Sequence, residues 1–238
     1  WRVRAVNANN DTSTYPGTPW NFTTIVAAPS VPVLAGPANG ATSQTLSPTL
    51  SWNAASDAST YRLQVATDSL FSALVYNDST ITTTSKQIPA TPGLAYNTRY
   101  FWRVNAKNVA ATSAYSLTRS FSTQLAQAQL SGPATGAVNQ PVSLTLDWLP
   151  VPGATSYLVQ LSSSSSFAKL VLSTSTANDS LSVGPLGNDT VYYWRVTARN
   201  ANGDTSVYPS TPWNFRTRIA TPFLKLPGDG ATNQPVSP

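Results

Sequence analysis

The chain has no cysteine, methionine or histidine, and its nine acidic residues are all aspartate. Missing cysteine excludes a disulfide framework and any thiolate metal site. Without His, Cys or Glu, general acid–base chemistry falls to Asp, Lys or Tyr. The acidic pair Asp68 and Asp78 is expected in Ser- and Asn-rich turns, so no catalytic residue is assigned and the chain is not expected to be an enzyme. Asn-Asp pairs at 77–78, 178–179 and 188–189 lack the spaced run of carboxylates that supplies the six or more oxygens Ca²⁺ takes. They read as turns, and no metal or cofactor is expected. Charged residues make up only 10% of the chain, well below the usual quarter or so. The net charge of +5 comes without a basic cluster or an interleaved aromatic platform, which argues against nucleic acid. No apolar run approaches the roughly 20 residues that span a bilayer.

What is abundant is Ser and Thr, about a quarter of the chain, together with seven Trp and ten Tyr. The aromatics suffice to build packed cores. Repetition is the dominant signal. WRVRAVNANNDTSTYPGTPWNF opens the chain at Trp1, and WRVTARNANGDTSVYPSTPWNF begins at Trp194. A second register lies between them: GPANGATSQ (36–44), GPATGAVNQ (132–140) and LPGDGATNQ (226–234) read as three copies of one turn. Trp52 aligns with Trp148, Tyr61 with Tyr157, Gln64 with Gln160, Phe71 with Phe167 and Trp102 with Trp194, which sets a unit of roughly 100 residues.

Within a unit the hydrophobic period is 2. Tyr61, Leu63 and Val65 alternate with Arg62, Gln64 and Ala66, and Tyr100, Trp102, Val104 and Ala106 with Phe101, Arg103, Asn105 and Lys107. Seven such segments are expected in the first full unit, near 30–35, 48–53, 60–67, 73–79, 83–89, 98–107 and 114–123. This predicts an all-β sandwich. Trp52 with Trp102, and Trp148 with Trp194, are the expected centres of two cores. Burying a Trp removes ~150–250 Å² from water, on the order of 4–6 kcal/mol gross at ~25 cal/mol/Å².

A Trp on the second strand, a Tyr opening the third, then LAYNTRYFWRV (94–104) and LGNDTVYYWRV (186–196), resemble the fibronectin type III domain. The resemblance implies tandem seven-stranded immunoglobulin-like sandwiches in an extended array. It also implies a tyrosine corner in which Tyr100 and Tyr192 bond back to the connection before their strand. Domains are expected at 25–124 and 125–218. Residues 1–24 would be the C-terminal strands of an incomplete module, and 219–238 the first strand and turn of another, so that the sequence reads as a window on a longer array. The repeat wording is similar to tandem modules of large secreted and cell-surface proteins of Bacteroidota. No RGD is present, so no integrin role carries over.

Three surface features are candidates for function. Arg2, Arg4, Arg103, Lys107, Arg195 and Arg199 form a basic ladder on the outward face of one strand in successive modules. It faces either an acidic polysaccharide or an anionic cell surface, or nothing but its own aromatic neighbours, such as Tyr193, covered by the Arg stems. Trp20 and Trp213 replace the Arg119 of the middle module, and either plug a joint or close their own core. Asp-Ser/Thr followed by an aliphatic or small residue occurs at 68–70, 78–80, 179–181 and 189–191. These tripeptides resemble an O-glycosylation signal of exported Bacteroidota proteins, at Ser69, Ser79, Ser180 and Thr190, and are equally ordinary turn chemistry.

The expected role is a non-catalytic structural or adhesive segment of a long extracellular, secreted or surface-attached protein. Its partners would be neighbouring modules of the same chain, other copies in a fibre, or extracellular polysaccharide. The alternative is a set of spacer modules in a secreted polysaccharide-degrading enzyme. Short linkers stiffened by Pro29 and Pro222 predict restricted hinge motion.

Overall fold

The computed structural model describes residues 1–222 and Thr232. Among the described residues, sixteen strands are arranged as two sandwiches, each with one three-stranded and one five-stranded sheet. In the first, β1 (Leu34–Gly36), β3 (Thr49–Trp52) and β6 (Ser85–Gln87) form the small sheet in the order β1-β3-β6. The large sheet, in the order β2-β8-β7-β4-β5, contains β2 (Ala41–Gln44), β4 (Thr60–Ala66), β5 (Leu74–Ile81), β7 (Arg99–Lys107) and β8 (Arg119–Thr123).

The second sandwich repeats the plan. Its small sheet is β14-β11-β9, from β9 (Leu130–Gly132), β11 (Leu144–Trp148) and β14 (Ser180–Val183). Its large sheet is β10-β16-β15-β12-β13, from β10 (Ala137–Gln140), β12 (Ser156–Ser162), β13 (Leu170–Thr176), β15 (Val191–Arg199) and β16 (Trp213–Thr217). This is the immunoglobulin-like, fibronectin type III-like all-β architecture.

One element departs from expectation. Ala41–Gln44, read as part of a turn, is a strand that pairs in parallel with β8. The strand expected near 30–35 is paired over Leu34–Gly36 as β1 of the small sheet, and β2 is an additional strand of the large one, with Pro37 between them. Proline has no N–H for the ladder, so the chain leaves one sheet there and enters the other. Ser43 sits at φ 53 inside this strand and marks the register shift against β8. The last segment, expected at 114–123, is paired over 119–123.

Alternation does the packing. Along β7 the side chains of Tyr100, Trp102, Val104 and Ala106 are buried, while both end residues, Arg99 and Lys107, are exposed. They meet Leu50, Trp52, Tyr61, Leu63, Val65 and Phe121 in one core. A separate core holds Trp148, Tyr157, Val159, Leu161, Tyr192, Trp194, Val196 and Phe215. Trp52 lies edge-on to Tyr61 at 5.5 Å, and Trp148 to Tyr157 at 5.4 Å. The Tyr100 hydroxyl accepts the N–H of Ala95, and that of Tyr192 the N–H of Gly187, both at 2.9 Å. Each bond ties the loop to the strand it enters.

Residues 1–24 contain no strand beyond a single bridge between Val6 and Thr12. Trp1 and Trp20 meet edge-on at 5.6 Å and exchange backbone hydrogen bonds, yet they stay 61% and 68% exposed. The two strands expected here are thus a locally closed loop whose aromatic face no described residue covers. Of the module start expected at 219–238, residues 223–231 and 233–238 lie outside the described residues.

Candidate functional site: outward arginine sandwiches and the joint between modules

Arg103 does not project freely from its sheet. Its guanidinium lies between the Phe71 ring at 3.9 Å and the Tyr115 ring at 4.0 Å, and its Nε donates to Gln64 Oε1 at 2.9 Å. Arg195 repeats the arrangement with Phe167 and Tyr208, each at 3.9 Å, and Gln160 Oε1 at 2.9 Å. Arg2 stacks on Tyr15 at 4.0 Å, and Arg4 lies 5.3 Å from the same ring. Cation–π contacts of this kind contribute ~0.5–2 kcal/mol each. In the ladder, the aromatic rings against Arg103 and Arg195 are Phe71 with Tyr115 and Phe167 with Tyr208, in place of Tyr193. Lys107 and Arg199, at the strand ends, stay exposed and leave only a sparse positive surface.

The phenylalanines reach those positions by a left-handed backbone, φ 61 at Phe71 and φ 59 at Phe167. For Phe71 a carboxylate builds the turn: Asp68 accepts the N–H groups of Leu70, Ser72 and Ala73 at 2.9, 3.2 and 2.7 Å. The Ala73 bond leads in holding its carboxyl below the ordinary range, against a smaller upward push from burial. Asp78 is bound by the Thr80 N–H at 2.9 Å and hydroxyl at 2.7 Å, by Tyr76 at 3.1 Å and by Lys86 at 3.1 Å. The Thr80 bonds are the main reason that its pKa falls to about 2. Two of the four acids that open candidate glycosylation tripeptides are thus occupied: Asp68 in a turn, and Asp78 within β5, where Asn77 and Asp78 pair with Gln64 and Leu63 of β4 and do not form the turn expected from the sequence. Ser69 and Ser79 are exposed and Ser180 is half-buried. The Thr190 hydroxyl donates to the Asn188 carbonyl at 2.8 Å.

The larger polar constellation lies where the two sandwiches meet. Asp204, 1% exposed, points from the β15–β16 loop into the base of the first sandwich. Its Oδ1 accepts the Ser43 N–H and the Ser122 hydroxyl, both at 2.6 Å, and its Oδ2 accepts Asn200 Nδ2 at 3.0 Å. Asn200 also donates to Asn97 Oδ1 at 2.8 Å, and the Thr205 N–H donates to Ser43 Oγ at 2.7 Å. Burial pushes the Asp204 carboxyl up, but the donors from Ser122, Ser43 and Asn200 together hold it below the ordinary aspartate value. Among the described residues no cation pairs with it: a buried carboxylate is satisfied by neutral donors from two domains.

Gly153 completes the fit. Its φ is +80, and a Cβ there would stand 1.9 Å from Asn97 Nδ2, so a side chain at this position would displace the Asn97 amide that Asn200 bonds. An open cleft of about 370 Å³ flanks the joint, lined in part by Thr42, Arg99, Ser120 and Asn202. Leu125, which begins the second core, donates its N–H to the Thr205 carbonyl at 3.3 Å. Trp213 meets Trp194 edge-on at 6.1 Å and packs on its own core rather than plugging this joint. Arg119, in the corresponding place, donates to the Ala35 and Pro37 carbonyls at 2.9 and 3.0 Å.

Sequence reasoning missed Asp204 as a functional residue. The visible signal was the repeated NDTS/GDTS wording, which contrasts with NVAATS at 108–113. Among the described residues no group of three or more His, Cys, Asp or Glu is placed to hold a metal ion, and no helix is long and apolar enough to cross a membrane.

Residues 37–127 match the family model described as the Rha78A-like, N-terminal immunoglobulin domain. Among solved structures, the chain is similar to the FN1–FN3 domains of chicken CNTN1 at 15% identity, covering 91% of this chain and 77% of that one, with a TM-score of 0.37. It is also similar to a two-domain fibronectin type III segment of chicken tenascin at 16% identity, covering 79% and 99%, with a TM-score of 0.41. A search of the curated proteins finds no match. The stretch 37–127 is therefore similar to a known N-terminal immunoglobulin domain, and the chain is built of immunoglobulin-like, fibronectin type III-like sandwiches.

Proposed function

We propose that this chain is a non-catalytic structural segment of a long extracellular protein, in which sandwich modules, bounded near 25–124 and 125–218, are held end to end. The observation that carries this reading is the joint: the Asp204 carboxylate is buried between two modules and bonded by both. A polypeptide whose modules only had to be connected would not need a desolvated carboxylate at the connection, because burying it unpaired is costly. The role is to fix the direction of one module relative to the next, and so to space or stiffen. Adhesion to anionic polysaccharide through the basic ladder is a lesser element, since Arg103 and Arg195 spend their guanidinium faces on Phe and Tyr rings. The exposed Ser69 and Ser79 are the proposed positions for O-linked sugar, which would shield an uncharged surface outside the cell.

The test is surface proteolysis of intact source cells with antibodies raised against the chain. Release of fragments that carry the repeats supports an extracellular array; protection until the cells are lysed refutes it. Mass spectrometry of the released fragments reports sugar at Ser69 and Ser79. The similarity of 37–127 to a domain described as N-terminal favours one second reading, that of accessory modules ahead of another domain. A catalytic domain rich in His and Glu in the same polypeptide would decide for it.

A further inference from the structure

The loop that forms the joint occurs twice in the same conformation, and only one copy has a partner. In the second sandwich it runs NANGDTS over 200–206; near the start it runs NANNDTS over 7–13. The Asn200 N–H donates to the Asp204 carbonyl at 3.0 Å, and the Asn7 N–H to the Asp11 carbonyl at 3.0 Å. The Asp204 N–H donates to Asn200 Oδ1 at 2.9 Å, and the Asp11 N–H to Asn7 Oδ1 at 2.9 Å. Asn200 Nδ2 reaches Asp204 Oδ2 at 3.0 Å; Asn7 Nδ2 reaches Asp11 Oδ2 at 2.8 Å. The bridges Arg199↔Thr205 and Val6↔Thr12 occupy the same place, and so do the left-handed residues Gly203 and Asn10.

The copies differ in what lies beyond them. Asp204 Oδ1 takes two donors from another module, whereas Asp11 Oδ1 and the Thr12 N–H have no partner among the described residues. The first full module cannot dock this way. Its loop has Ala111 where the others have Asp, and its Asn108 Nδ2 turns to the Ala27 and Asp57 carbonyls at 2.7 and 2.9 Å. It also carries Asp57 at φ 58 where the second module has Gly153 against Asn97. The bases differ in the same sense. Ser43 and Ser122 donate to the carboxylate and Asn97 Oδ1 accepts the Asn200 amide, while the second module presents Asn139, Asp189 and Arg216, with Asp189 and Arg216 closed on each other at 2.8 Å.

From this we infer that the Asp11 loop is a docking site for the base of a second copy of the 25–124 module, in an array where carboxylate-latched joints alternate with joints of another kind. Ser43 N–H, Ser122 Oγ and Asn97 Oδ1 of that copy would meet Asp11 and Asn7 as they meet Asp204 and Asn200. The inference rests on the tandem-module reading and adds the rule by which modules choose neighbours: donors at the base select a loop that has a carboxylate, and a base already holding an Asp–Arg pair does not accept it.

Two experiments decide it. In the full chain, Gly203→Asn converts 200–206 into the sequence of 7–13, and nothing lies within 4 Å of the added Cβ. Because Asn tolerates the left-handed region, hydrogen-exchange protection at Ser43 and Thr205 is expected to stay within about threefold. Loss of that protection shows that the Asn10 loop cannot latch and overturns the inference. Second, residues 25–193 are fused ahead of Trp1 of the full chain, which completes the Trp1 module and sets a Ser43-type base above Asp11. Thr12 N–H protection is expected to rise by roughly a hundredfold, and Asp11→Ala to abolish the rise. An unprotected Thr12 with Trp1 and Trp20 buried by fluorescence overturns the latch but leaves the tandem reading standing. Trp1 and Trp20 still exposed would overturn both.

Discussion

Removing the Asp204 carboxylate should loosen the joint while both sandwiches stay folded. Two donors cross from one module to Asp204 Oδ1, each at 2.6 Å. Hydrogen bonds to a charged group contribute ~1.5–3 kcal/mol each, and the two are not additive because they share one oxygen. Asp204→Ala also leaves the Ser43 N–H without its acceptor. A cost of about 3 kcal/mol to the closed joint is therefore expected, or roughly a hundredfold in its opening equilibrium. Asp204→Asn keeps the shape and an acceptor oxygen but not the charge, and about half that cost is expected. The assay is amide hydrogen exchange on the full chain. The Ser43 N–H ends on Asp204 and the Thr205 N–H on Ser43 Oγ, so both report the joint directly. Amides of β7 and β15 report the sandwiches and should not change. Acid should mimic the variant. The Asp204 pKa is depressed, so its contribution is fully present above the ordinary value near ~3.9 and is lost as pH falls through the lowered one. Unchanged exchange at Ser43 and Thr205 in Asp204→Ala would refute the latch, and uniform loss of protection across both sandwiches would show a foldedness effect in its place.

Other outcomes follow from the cores and the outward face. Trp148→Ala should cost ~3–5 kcal/mol by calorimetry, confined to the second transition of the chain. Trp148→Phe should cost less than its lost volume suggests, because the buried Trp148 indole N–H has no acceptor to lose. Phe71→Ala removes one face of the Arg103 sandwich, and a loss of ~1–2 kcal/mol with faster exchange at Ala73 is expected, whereas Arg103→Lys keeps the charge but not the planar stack. The hydrogen bonds to Asp78 on β5 contribute stability above pH ~3.9 that disappears as pH falls through about 2, so Asp78→Asn should flatten the acid limb of a stability–pH curve.

The sequence alone determined the strand-rich class, the repeat, and which aromatics face inward. Alternation along Tyr100–Lys107 depends on residues two apart, so it can be read without any tertiary contact. The repeat made the inward Trp of one module legible from the next. The additional strand β2 was hidden because ANGATSQ has turn chemistry, and only the neighbouring β8 turns it into a parallel pair. Arg103 read as a possible ligand for anions; only the fold showed Phe71 and Tyr115 closing on it, with Phe71 in a backbone region that its residue type rarely visits. The joint was least legible of all. Asp204 finds Ser43 across 161 positions and Ser122 across 82, and a lone Asp in a GDTS turn carries no mark of the module it will meet. Pairing over such distances is decided by where whole sheets come to rest, which local pattern cannot encode; the tertiary structure alone turned a turn residue into a desolvated carboxylate shared by two domains.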